Sequence, residues 1–218
     1  MKRLYVLVEG QTEERFINDL LAAHLAPREF SVSATRIATK VIRNQRAHRG
    51  GHGGNYEFIQ RDVQRLLHSN PDAVTTMLDY YRLPQNFPGL NALPAGDCFA
   101  RAQALEAAFT ADIRDRRFIP NLIIHEFEAL LFSKIESIQT VFPDQPRLPE
   151  LQRIVTSVAS PEEINDLPKT APAQRLLDLF PSYDKVSNGL LIAERVGIQA
   201  MREKCRHFAA WLARLEQL

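Results

Sequence analysis

The feature that most constrains the fold is the opening of the chain, where the apolar run 4–8 ends abruptly in Glu9 and Gly10. A helical pattern follows at once, with Thr12 as its expected cap. This order predicts a buried strand of a parallel sheet, because parallel strands need a crossover after them. Ligands of such sheets bind beyond the carboxyl ends of the strands. The Glu9 carboxylate therefore lies where a chemical group is expected, and Gly10 lets the backbone turn close beside it.

Strand and helix patterns alternate through the first two thirds of the chain. Further strands are predicted at residues 30–39, 73–78 and 118–124. The alternation predicts an α/β fold, a mostly parallel sheet with helices on both faces. After Pro143 only helical periodicity remains, and its last stretch, 198–218, reads as one helix. We therefore expect an α/β domain of residues 1–142 and an all-helical C-terminal extension of residues 143–218.

Composition places the chain among ordinary globular proteins. It has 218 residues, 24% of them charged, and a formal net charge of +1, which by itself indicates no partner. Cys98 and Cys205 lie far apart with no metal or disulfide spacing, as is typical of a reducing compartment. No stretch approaches the roughly 18 apolar residues of a membrane span. We expect a cytoplasmic protein without a membrane partner; a homo-oligomer is left open.

Several of the predicted strands end in acids. Asp79 follows the strand at 73–78, and Glu126 and Glu128 follow the strand at 118–124. If these strands are neighbours, the carboxylates meet Glu9 at one edge of the sheet, where they repel one another unless a cation lies among them. Oxygen ligands suit a hard ion such as Mg²⁺ or Mn²⁺. The alternative is that each acid is a surface residue or a helix cap.

A basic, glycine-containing segment follows the second predicted strand and contains no acid. We expect it to be a loop that grips the phosphates of DNA or RNA. The alternative is a solvated connection. The candidate nucleic-acid-binding residues are Lys40, Arg43, Arg46, Arg49 and His52.

Three blocks of sequence, beginning at Val8, Met77 and His125, resemble the family known as domain of unknown function 4276. They read Val-Glu-Gly-Gln-Thr-Glu-Glu-Arg-Phe, Met-Leu-Asp-Tyr-Tyr and His-Glu-Phe-Glu-Ala-Leu-Leu-Phe. A later block, Tyr183-Asp-Lys-Val, fits the same family, as do Gly197 and the stretch from Cys205 to Leu212. The family is similar to TOPRIM domains, the metal-binding fold of topoisomerases, primases and nucleases of the overcoming-lysogenization-defect (OLD) type.

The resemblance implies roles for the acids. Glu9 corresponds to the TOPRIM glutamate, a metal ligand or general acid–base, and Asp79 to the first aspartate of an Asp-x-Asp pair. The chain departs from the pattern at Tyr81, which stands where the second aspartate is expected. Glu126 or Glu128 is the candidate for the missing acid, with Glu13 behind them. Family members are often encoded beside an ATPase of the ABC or AAA type, in arrangements typical of anti-phage defence.

The favoured interpretation is a Mg²⁺- or Mn²⁺-dependent nuclease. Its catalytic residues are Glu9, Asp79 and Glu126, and its metal ligands come from these three together with Glu128 and Glu13. One alternative is a non-catalytic TOPRIM-like subunit that regulates an ATPase or is recruited by it, which Tyr81 favours. Another is a phosphate-ester enzyme acting on a small molecule.

Overall fold

The computed structural model describes residues 1–38, 55–164 and 170–218. The chain forms two compact units, Met1–Leu122 and Ile123–Leu218. This division falls before the His125 block, whereas the domain boundary predicted from the sequence, after residue 142, stays a prediction. Within the described ranges, no helix is long and apolar enough to cross a membrane.

The first unit contains a parallel sheet with the strand order β2-β1-β3-β4. Adjacent strands pair in parallel. Val8, the last residue of β1, lies opposite Arg36 at the end of β2 and opposite Met77 near the end of β3. The carboxyl ends of the three strands are therefore level. The strands are β1 (Lys2–Val8), β2 (Phe30–Arg36), β3 (Ala73–Asp79) and β4 (Phe118–Ile119).

The crossover from β1 to β2 is a helix whose middle turns are π-helical. It consists of α1 (Gln11–Arg15), a π-helix (Phe16–Leu21) and α2 (Ala22–Leu25). The cap expected at Thr12 was wrong: Gly10 is the N-cap, without a side-chain bond, and Thr12 is buried inside α1. Asn18, in the π-helical part, accepts a hydrogen bond from the Ala34 N–H of β2 at 3.0 Å. This contact covers a polar group on the outer strand of the sheet.

Two longer helices pack on one face of the sheet. They are α3 (Tyr56–His68), capped by Asn55, and α4 (Cys98–Ile113), capped by Asp97. Leu7, Val74 and Leu78 on this face form one apolar cluster with residues of both helices. Crossovers between parallel strands are right-handed. The crossover from β1 to β2 moves along the sheet in the direction opposite to the later crossovers, so its helix covers the other face of the sheet. The predicted mostly parallel sheet with helices is confirmed.

The strand predicted at 118–124 is interrupted. β4 ends at Ile119, and β5 (Leu122–Ile123) pairs with β3 as a separate short strand. Between β4 and β5, the Thr76 side chain takes the place of main-chain hydrogen bonds between strands. Its hydroxyl donates to the Asn121 carbonyl at 2.8 Å and accepts from the Asn121 N–H at 2.9 Å. Pro120 has no N–H to donate to a ladder, which is a physical reason for the interruption.

The second unit is helical after β5, as predicted for the C-terminal part of the chain. A 3₁₀-helix (Phe127–Ser133) comes first, and the later short turn at Ser160 has the expected capping box. Gly197 interrupts α8 with φ 74°, a left-handed value that favours glycine. The continuous helix expected over 198–218 was wrong, because the chain is extended at Cys205. The helices are α5 (Ile135–Val141), α6 (Leu148–Thr156), α7 (Pro172–Leu179), α8 (Ser187–Lys204) and α9 (Arg206–Glu216).

Candidate active site

The strand order predicts a site beyond the carboxyl ends of β1 and β3. From β1 the chain crosses to β2 on one side and then returns to β3 on the other, so the order of strands reverses between β1 and β3. In open parallel sheets, ligands bind at such a switch point, beyond the carboxyl ends of the strands. Glu9 is the residue after β1, and Asp79 is the last residue of β3.

Glu9 and Asp79 are brought together at this switch point. The Asp79 N–H donates a hydrogen bond to Glu9 Oε1 at 3.0 Å. Both side chains are buried, with exposed fractions of 6% and 3%. A main-chain N–H orients a carboxylate but brings no net charge, so this bond fixes the direction of Glu9 and leaves its charge in place.

Gly10 lets a third carboxylate approach the turn after β1. A Cβ added at Gly10 would lie 2.8 Å from Glu13 Oε2, closer than side chains tolerate. Glu13 itself is 3% exposed. The Gly10 backbone is extended, with φ −134° and ψ −173°, so close approach rather than unusual dihedral angles explains the glycine. Glu13 therefore lies on the same turn as Glu9, and its role as a metal ligand stays a prediction.

In the second unit, Glu126 is held by a helix start. Its Oε1 accepts the Ala173 N–H at 2.8 Å, in the first turn of α7. The N-terminal N–H groups of a helix have no partner within the helix, so this contact satisfies one of them. Glu126 is 8% exposed. Its meeting with Glu9 and Asp79 stays a prediction.

Glu128 already has a cationic partner. Its Oε2 lies 3.1 Å from Lys185 Nζ, and the Tyr183 hydroxyl donates to its Oε1 at 3.4 Å. The Glu128 side chain is fully buried, whereas the Lys185 side chain is 33% exposed. Burial raises the pKa of Glu128, an effect that the Lys185 ammonium opposes. Glu128 is thus a buried ion-pair member here, which makes Glu126 the stronger metal-ligand candidate of the two.

Tyr183 and Lys185 are site residues to which sequence reasoning assigned no role. They belong to the Tyr-Asp-Lys-Val block, which carried the family resemblance without a chemical assignment. Burial and the neighbouring Glu128 raise the pKa of Tyr183 far above its usual value, so its hydroxyl keeps its proton. The signal was present in the block, but its partner lies more than fifty residues earlier in the chain.

Tyr81 is the residue at which the chain departs from the TOPRIM pattern. Tyr81 is 45% exposed and lies in a 3₁₀ turn, Tyr80–Arg82. In the ranges that the structure describes, no group of three or more histidine, cysteine or acidic side chains is arranged to hold a metal ion. Within the first unit, Glu9 and Asp79 are therefore the core of the candidate site.

The basic loop predicted to bind nucleic acid lies outside the described residues. This applies to the whole predicted set: Lys40, Arg43, Arg46, Arg49 and His52. Their role as phosphate contacts stays a prediction.

Comparisons with known proteins agree with the resemblance found in the sequence. The family model described as "Domain of unknown function (DUF4276)" matches residues 8–216. No curated protein matches the chain. Among solved structures, the C-terminal region of the Burkholderia pseudomallei OLD protein aligns with a TM-score of 0.45 and 17% sequence identity, over 99% of each chain.

Proposed function

We propose that this chain, which belongs to the DUF4276 family, is a metal-dependent nuclease whose site is centred on Glu9 and Asp79. One observation carries the proposal: two buried carboxylates, linked by the Asp79 N–H, lie at the switch point of a parallel sheet. The two carboxylates, at 6% and 3% exposure, are oxygen donors of the kind that bind hard cations. The TOPRIM resemblance supports the same position.

The donor chemistry of this pair fits a hard divalent ion. Mg²⁺ is usually bound by one or two carboxylates, with water and phosphate oxygens completing its shell, so two acids are enough. Glu9 and Asp79 would hold the ion, with Glu13 on the same turn as a further candidate ligand. When bound, the ion would neutralise the scissile phosphate and lower the pKa of a water molecule.

The protein's own groups would orient the reaction. Asp79 offers its carboxylate from the end of a rigid, fully buried strand. Glu9, whose direction is fixed by the Asp79 N–H, can ligate or take the proton of the attacking water. Because both groups are shielded from solvent, their attraction for a divalent cation would be stronger than at an exposed surface.

The proposed setting follows from the family resemblance. The substrate would be DNA or RNA, bound by the cationic residues of the segment between β2 and α3. An ABC- or AAA-type ATPase would act as partner, and anti-phage defence would be the biological role. An isolated chain can be silent for want of this partner, so activity assays should include it.

A second candidate is a non-catalytic subunit that binds an ATPase. Tyr81 favours it, because an aromatic side chain 45% exposed stands where the resemblance expects an acid. Exposed tyrosines are common at protein interfaces. This candidate predicts ATPase binding without metal binding.

Replacement of Glu9 by glutamine tests the nuclease. Glutamine keeps the size and one acceptor oxygen but loses the charge and the transferable proton. Cleavage of DNA and RNA, measured with Mn²⁺ and the ATPase partner, should fall by roughly 10²-fold or more. Glu136→Gln, which removes an exposed acid on α5, is the matched control and should keep full activity. Full activity of Glu9→Gln would refute the mechanism.

A further inference from the structure

We propose that the exposed face of α3 formed by Arg61, Arg65 and His68 binds the phosphate backbone of the nucleic acid next to the Glu9–Asp79 site. The inference rests on the proposed function and names the surface that receives the substrate. These three residues follow the segment that holds the predicted nucleic-acid contacts, Lys40 to His52.

The exposed face of α3 carries basic side chains in its middle and last turns. Arg61, Arg65 and His68 are spaced by four and three residues, which places them on one side of the helix. The acid between them, Asp62, is 3% exposed and forms an ion pair with Arg61, its Oδ1 lying 3.2 Å from Arg61 Nη2. The exposed acid of this helix, Glu57, lies in its first turn, where its carboxylate accepts a hydrogen bond from Asn55 Nδ2 at 3.3 Å.

Arg61 is held in position before any ligand arrives. Its guanidinium lies 5.2 Å from the centre of the Phe58 ring. It bonds Asp62 Oδ1 at 3.2 Å and donates from Nη2 to the Ala38 carbonyl at 3.1 Å. Half of the side chain remains exposed. A guanidinium fixed in this way loses less conformational entropy when it binds a phosphate.

The stripe begins beside the edge of the sheet that carries the acids. Ala38, which Arg61 contacts, lies two residues beyond the carboxyl end of β2, and β2 pairs with β1, the strand that leads to Glu9. From Arg61 the helix runs toward the opposite edge and ends at His68, shortly before β3 begins. The basic face therefore begins near the end of the sheet that carries Glu9 and Asp79 and leads away from it, as a path for the rest of the nucleic acid.

The length of the stripe matches a short run of phosphates. The seven steps of helix from Arg61 to His68 span about 10.5 Å. Over that length of its axis, duplex DNA carries about three phosphates on each strand. Beyond His68 the surface continues into a cleft of about 350 Å³. Arg117 in that cleft is balanced by Asp115 at 2.7 Å, whereas Arg114 adds positive charge.

A purely structural explanation also exists for part of the stripe. Arg65 and His68 lie in the last turn of α3, where the helix dipole favours positive charge. His68 Nδ1 hydrogen-bonds the Gln64 carbonyl at 2.6 Å. This explanation predicts an effect on folding and none on nucleic-acid binding, so a binding measurement on the folded protein separates the two.

The test uses labelled duplex and single-stranded DNA and RNA and the full chain carrying Asp79→Asn, so that nothing is cleaved. Fluorescence anisotropy gives the affinity as a function of salt concentration. The logarithm of the binding constant falls linearly with the logarithm of the salt concentration. Arg65→Ala should make this slope less steep by about 0.9 on duplex DNA, and the double variant Arg61→Ala/Arg65→Ala by about 1.8. Arg153→Ala, an exposed arginine of α6, is the matched control and should leave the slope unchanged.

The outcomes separate this inference from the proposed function. An unchanged slope in Arg65→Ala and in the double variant, with melting temperatures showing folded protein, overturns the inference. The inference is also overturned if the Asp79→Asn chain, with no other change, binds no nucleic acid. Cleavage by the unmodified protein with Mn²⁺ and the ATPase partner decides the nuclease proposal independently. Binding with the expected slopes but without cleavage in that assay supports the α3 surface and counts against the enzyme.

Discussion

The two units of this protein bury pairs of acids in different ways. In the first, Glu9 accepts a bond from the Asp79 main chain, which directs the carboxylate without adding charge. In the second, Glu128 is fully buried against Lys185, a partner of opposite charge. Burial of an acid is therefore not by itself the sign of a site. What distinguishes the first pair is its position at the switch point of the sheet.

Glu126 and Glu128, two acids of the second unit, hold local structure within that unit. Glu128 ties the 3₁₀-helix that follows Glu126 to Lys185 and Tyr183, and Glu126 receives the first turn of α7. These contacts fix the backbone that carries Glu126. A rigid backbone of this kind is what a metal ligand needs.

The largest expected effect on stability comes from breaking the buried ion pair. Lys185→Ala leaves the Glu128 carboxylate without its cation and should lower the free energy of unfolding by about 3 kcal/mol, because buried pairs broken on one side cost most. Urea unfolding at pH 7 measures this. Glu128→Gln added to Lys185→Ala should recover part of the loss. A loss below about 0.5 kcal/mol, the range of ordinary surface substitutions, would contradict the assignment of Glu128 to structure.

A second buried acid gives a pH-dependent effect of intermediate size. Glu162 accepts the His207 and Phe208 N–H groups at the start of α9, at 3.0 and 2.9 Å. Burial raises its pKa above the usual 4.5, so the folded state keeps a proton that the unfolded chain has lost. Stability from this group should therefore fall as the pH rises above 4.5, by up to about 1.4 kcal/mol per pH unit.

The measurement is urea unfolding from pH 4 to 8. In Glu162→Gln the part of the fall that comes from Glu162 should be absent, so the difference between the two proteins should change with pH. Parallel profiles for the two proteins would show that Glu162 does not titrate differently on folding.

The smallest effect on stability is expected at Gly10. Its Cβ in Gly10→Ala would meet the flexible end of Glu13, which can rotate away, so the unfolding free energy should change by less than about 0.5 kcal/mol. The displaced carboxylate should nevertheless weaken Mn²⁺ binding if Glu13 belongs to the site. Gly10→Ala should have no further effect in a Glu13→Ala background. Unchanged Mn²⁺ binding in the single variant would remove Glu13 from the site.

The features that could be predicted from the sequence depend on local patterns. The buried strands before Glu9 and Asp79 are apolar runs, and the helix starts at Asn55, Asp97 and Ser160 carry side chains that bond the first N–H groups. The interruption at Gly197 follows from a conformation that only glycine adopts easily. Each of these depends on a few consecutive residues.

The features that could not be predicted depend on contacts between distant residues. The π-helical turns before α2 bring Asn18 to Ala34, and Thr76 completes the ladder at Asn121. The partner of Glu128 is fifty-seven residues further on, at Lys185. No periodicity or spacing in the sequence encodes such pairs, so the acids were predicted as a group although the structure gives them different partners.

Calorimetry with Mn²⁺ tests the central claim, that the Glu9–Asp79 pair is the metal-binding core, most directly. The unmodified protein should bind the ion, and Asp79→Asn should weaken binding at least about tenfold, since affinity for hard ions follows the charge of the ligands. Glu136→Gln, the exposed-acid control, should bind as the unmodified protein does. Equal binding by the unmodified protein and Asp79→Asn, or binding by neither, would contradict the account.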